Sequence, residues 1–141
     1  MITSLFRKST PVNYALVVIL TTVFYFLYRI GNVTSDDATY PVVYQIGILA
    51  FVIGSIFVAN FIIKKNGLSR DSTYTALFFL LFLIFFPAIF TKPNLILANF
   101  FVLLGLRRLI SLHSLKSAKE KVFDASLWIF VATLFHFWSI L

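Results

Sequence analysis

The chain carries apolar runs too long for a water-soluble fold to hide, and short polar stretches separate them. Crossing a hydrocarbon core of about 30 Å takes roughly 17 to 25 helical residues, and only helices or closed barrels satisfy every backbone group there. These runs are helical in length and lack the period-two alternation of a barrel strand. Five read as spans, over residues 12–30, 42–63, 73–90, 95–112 and 126–141. The expected architecture is all-α: one polytopic transmembrane bundle of about five antiparallel helices covering residues 1–141. Composition agrees, with hydrophobic residues at 60% and charged residues at 12%, far from ordinary globular usage. The absence of cysteine excludes disulfide frameworks, thiolate nucleophiles and Cys-ligated metals.

The polar punctuation supplies ends for these helices. Ser9 or Thr10 is placed to cap the first, with Pro11 at its first position, where a missing N–H costs nothing. Pro41 is expected to do the same for the second, and Asn66 or Gly67 to close it in a left-handed conformation. Asp71 or Ser72 is expected to cap the third, whose Pro87 predicts a kink. Lys and Arg counted over the short loops set the orientation. Ten fall on one side (Arg7, Lys8, Lys64, Lys65, Arg70, Arg107, Arg108, Lys116, Lys119, Lys121) and two on the other (Arg29, Lys92). This asymmetry predicts a cytoplasmic N-terminus in a bacterial inner membrane. It also accounts for the net charge of +7 without nucleic acid, since the charges sit on separate loops. Tyr14, Tyr74 and Trp128 are expected near the inner interface, and Tyr25, Tyr28, Tyr40, Tyr44 and Trp138 near the outer one.

A few polar groups could carry chemistry. Arg107 and Arg108 fall at the inner end of the fourth span, where they either snorkel as anchors or clamp a lipid or phosphate group with their planar forks. The basic segment between Arg107 and Asp124 fits anionic headgroups, with an interfacial amphipathic turn on Leu109, Leu112, Leu115 and Val122. It also fits a cytoplasmic partner or another membrane subunit. Asp36 and Asp37, in the first outer loop, are the only catalytic candidates, and two adjacent Asp residues are equally ordinary turn formers. His113 and His136 fall on opposite sides, so no histidine cluster and no metal site is expected. Gly47, Ala50 and Gly54 define a small-residue face for helix packing, and Asn60 and Asn99 are the expected interhelical hydrogen bonders. The third span, with Phe on nearly every side, reads as mainly lipid-facing.

Several stretches resemble an uncharacterised family of multi-pass membrane proteins from Bacteroidota, a domain of unknown function. They are Ser9-Thr10-Pro11-Val12-Asn13-Tyr14, Phe61-Ile62-Ile63-Lys64-Lys65-Asn66, Asn99-Phe100-Phe101-Val102-Leu103-Leu104, Leu106-Arg107-Arg108-Leu109-Ile110-Ser111-Leu112 and Phe123-Asp124-Ala125-Ser126-Leu127-Trp128-Ile129. The resemblance covers nearly the whole chain. It implies further membrane segments after Leu141, in line with a fifth span of only 16 residues, so the chain is expected to be the N-terminal part of a longer protein. It implies no activity. No phosphate loop, dinucleotide fingerprint, catalytic triad or metal-ligand spacing is present, and no cofactor is expected. Two functions fit. One is a non-catalytic membrane subunit or scaffold with basic cytoplasmic loops. The other is the front half of an enzyme or carrier for polyprenyl-phosphate-linked glycans, using Asp36 or Asp37 with Arg107 and Arg108.

Overall fold

The computed structural model describes residues 10–31, 41–67, 73–114 and 117–140. Five α-helices follow in order: α1 (Pro11–Gly31), α2 (Val42–Lys65), α3 (Tyr74–Phe85), α4 (Pro93–Ile110) and α5 (Ala118–Phe135). Short 3-10 segments, Pro87–Thr91, Ser111–Ser114 and Phe137–Ile140, follow α3, α4 and α5. The fold is an all-α helical bundle. Helices α1, α2 and α4 are each long and apolar enough to cross a membrane, and α3 is a shorter apolar helix.

Local chemistry explains most ends. Pro11 opens α1, and the Asn13 N–H donates to the Thr10 carbonyl at 3.1 Å. Pro41 stands one residue earlier than expected, as the extended residue before Val42, because its ring fixes φ while leaving ψ free for the turn into the helix. Gly67 closes α2 with φ +65, and its N–H donates to the Lys64 carbonyl. The expected kink at Pro87 is instead a full break. Proline has no N–H for the Leu83 carbonyl and pushes Phe86 out of the helical region, to φ −122 and ψ 61.

The largest departure is α5, which starts eight residues before the expected span. Charge had marked residues 118–125 as loop, yet Ala118, Lys119, Glu120 and Lys121 are all good helix formers, and the helix runs through them. Val122 therefore lies exposed on α5, not in a separate interfacial turn. Ser117 precedes the helix in a left-handed conformation, φ 47.

Unlike a soluble bundle, this one turns large apolar side chains outward as well as inward. Each α1 residue at four-residue spacing, Asn13, Val17, Thr21 and Tyr25, is buried, whereas Ile19, Leu27 and Ile30 are at least 60% exposed. The buried Thr21 and Ser55 hydroxyls are satisfied within their own helices: Thr21 Oγ1 donates to the Val17 carbonyl at 2.8 Å and Ser55 Oγ to Phe51 at 2.9 Å. Phe90, expected against lipid, is 2% exposed and packs edge-on to Tyr25 at 5.4 Å, with Phe24 and Tyr28 around it. Tyr25 and Tyr28 thus pack toward the bundle interior, near the end of α1 that carries Arg29. Trp128 lies well inside α5, stacked on Phe101 of α4 at 5.8 Å.

Candidate functional site

Antiparallel packing collects the described charges at two ends. The end of α1 at Tyr14 meets the end of α2, where Asn60 Nδ2 donates to the Tyr14 hydroxyl at 2.9 Å. Lys64, Lys65, Arg107, Arg108, Lys119 and Lys121 share that end with Glu120 and Asp124, while Arg29 and Lys92 occupy the other. Lys64 and Lys65 lie in the last turn of α2, and Arg107 and Arg108 in that of α4, where unsatisfied carbonyls favour cations.

Arg107 and Arg108 have separate surroundings. Arg108 Nη2 lies 3.1 Å from Asp124 Oδ2, both side chains more than a third exposed, a pair worth at most about 1 kcal/mol. Arg107 leaves its neighbour and stacks on Phe61 of α2, its Cζ 4.8 Å from the ring centroid. Lys65 Nζ lies 5.6 Å from the same centroid. The two cations are thus held within about 10 Å of each other, of the order of the screening length in physiological salt. Among the described residues neither meets a carboxylate. A small notch, about 30 Å³, opens between Phe61, Lys65, Asn66, Arg107, Arg108 and Ser111. Lys121 Nζ donates to the Ser111 carbonyl at 2.9 Å, which ties the start of α5 to this rim. The Phe61–Lys65 pairing was legible as an i, i+4 spacing, whereas nothing in the sequence joined either residue to Arg107.

The packing candidates divide. Gly54 is at a close approach: a Cβ there would meet the Phe100 ring of α4 at 3.1 Å. Gly47 faces open space and Ala50 is exposed, so the expected three-residue face is not a contact. The tight seam lies between α4 and α5, where a Cβ on Gly105 would meet Ile129 at 3.1 Å and the Ala125 carbonyl at 3.3 Å. Ala125 and Ala132 are fully buried along it. A lone glycine in a helix of large apolar residues was the available signal.

Asn60 is buried, with its Oδ1 unpartnered. Among the described residues Asn99 makes no hydrogen bond to another helix; it stands exposed at an apolar cavity between α2, α3 and α4. Asp36 and Asp37 lie outside the described residues, as do Arg7, Lys8, Arg70 and Lys116. His136 follows the last residue of α5, at the end opposite the basic cluster, and no group of metal-ligating side chains occurs among the described residues. No protein-family model, curated protein or solved structure matches the chain.

Proposed function

We propose that this is a multi-pass protein of a bacterial cytoplasmic membrane, N-terminus inside, acting as a non-catalytic membrane subunit. Its basic end holds the phosphate of anionic lipids between Lys65 and Arg107. The observation that carries this reading is the shared use of Phe61 by two cations with no carboxylate beside them among the described residues. An apolar ring holds them without neutralising them, and a phosphodiester supplies the missing charge with oxygens for the guanidinium fork. Arg108, already paired with Asp124, serves as an interfacial anchor. The same end, from Arg107 to Asp124, is where a cytoplasmic partner or second membrane subunit would dock.

The test is lipid retention by native mass spectrometry after reconstitution in nanodiscs of phosphatidylglycerol and phosphatidylcholine. Each cation near an anionic surface contributes about 1 kcal/mol, so Lys65→Gln with Arg107→Gln should lower retained phosphatidylglycerol roughly thirtyfold. Lys64→Gln with Lys119→Gln, which removes the same two charges from the same end but outside the notch, should leave it near wild type. Equal loss from both double variants would reduce the notch to general charge attraction.

A further inference from the structure

A second site opens on the side of the bundle. Between α2, α3 and α4 the chain leaves a cavity of about 270 Å³, lined by Val52, Ser55, Phe79, Phe82, Leu83 and Asn99 among others. The break at Pro87 shapes one wall, since Ile89 of the following 3-10 segment contributes to it. An engineered apolar cavity of about 150 Å³ accepts benzene, so this one has room for a ring system up to about twice that size. It is too small for a packed helix.

The lining sets the chemistry of an occupant. No charged side chain borders the cavity, which selects a neutral molecule. Ser55 has already given its proton to the Phe51 carbonyl, so it offers only lone pairs. Asn99 keeps both amide protons uncommitted among the described residues. An amide unpaired in apolar surroundings is costly, and what relieves it is an acceptor oxygen. Phe79 and Phe82 offer aromatic faces, which pair best with another π-system. We infer that this cavity binds a neutral, flat, carbonyl-bearing ring compound of the lipid-soluble quinone class, its carbonyl oxygen accepting from Asn99 Nδ2.

The experiment uses the chain in detergent micelles with 2-methyl-1,4-naphthoquinone as the probe. The ¹⁵N resonance of the Asn99 side-chain amide is followed, assigned by its loss in Asn99→Leu. Saturable binding is expected, weakened at least tenfold by Asn99→Leu and by Val52→Phe, which fills the cavity; quenching of tryptophan fluorescence by the quinone reads the Asn99 variant. On the unaltered protein, 2-methylnaphthalene, which has the rings without the carbonyls, should bind at least tenfold more weakly. Equal binding of that hydrocarbon would overturn the inference whether or not the variants fold. So would equal binding of 2-undecanone, which would assign the cavity to the carbonyl of a lipid chain. Spontaneous disulfide formation between two Phe78→Cys chains, at an exposed position beside the cavity and outside its lining, that abolishes probe binding relative to the reduced protein would show a second copy covering the site, and would also overturn it.

Discussion

At Asn60 an amide is buried with only part of its hydrogen-bonding capacity met: Nδ2 donates to Tyr14, and Oδ1 has no partner. Within a membrane such a bond contributes on average about 0.6 kcal/mol, up to about 1.7, while an orphaned buried acceptor costs about 1 to 3 kcal/mol. The two terms nearly cancel. Asn60→Leu, which removes the bond and the orphan together, should therefore leave unfolding in detergent within about 1 kcal/mol of wild type. Tyr14→Phe strips the acceptor and leaves the amide wholly unpaired, so it should destabilise by about 1 kcal/mol or more. Thermal unfolding of both variants checks the order, and a larger loss from Asn60→Leu would contradict it. In the sequence, Asn60 and Asn99 were equivalent as intramembrane amides. What separates them is which face of its helix meets a neighbour, and hydropathy does not encode that when apolar residues surround both.

The same limit governs the helices. The five described helices were legible because span length and short polar links are dictated by the bilayer, though of the five expected spans only α1, α2 and α4 have the length and hydropathy to cross. The start of α5 was not, because charge marks solvent contact while helix formation follows propensity, and Lys119, Glu120 and Lys121 satisfy both. Packing faces were legible only in part. Gly47, Ala50 and Gly54 have suitable spacing, but spacing supplies no partner, and only Gly54 finds one. A graded response to Gly→Ala should follow. At Gly47 the added methyl meets nothing, and helix propensity favours Ala by up to about 1 kcal/mol, so stability should hold or rise. At Gly54 the obstacle is the edge of the Phe100 ring, which can tilt. At Gly105 it includes the Ala125 carbonyl, part of a helix backbone that cannot yield alone, and overpacking should cost about 1 to 3 kcal/mol. Melting temperatures in one detergent should rank Gly47→Ala above Gly54→Ala, and Gly54→Ala above Gly105→Ala.

For the whole molecule, two distributions point to the same solvent. Polar Asn13, Thr21, Ser55, Asn60 and Thr73 are buried, while Val43, Phe85 and Leu134 are more than 70% exposed, an arrangement water would penalise and hydrocarbon tails would not. The ends then differ in charge. Six described Lys and Arg side chains, Lys64 and Arg107 among them, lie at one end, against Arg29 and Lys92 at the opposite end. Orientation follows basic residues, with acidic ones counting little, so Glu120 and Asp124 do not offset the bias. Each cation moved outward against the membrane potential costs about 2.3 kcal/mol per 100 mV, and the excess of four makes the two insertions far from equivalent. The chain has no cysteine of its own, so single substitutions report cleanly. In cells with a permeabilised outer membrane, an impermeant thiol reagent should label Asn94→Cys, at the start of α4, and spare Asn66→Cys, at the end of α2, until the cytoplasmic membrane is opened. The reverse pattern would invert the bundle. It would place Lys65 and Arg107 against the outer leaflet, and the phosphate we propose for them would then belong to a lipid of that leaflet.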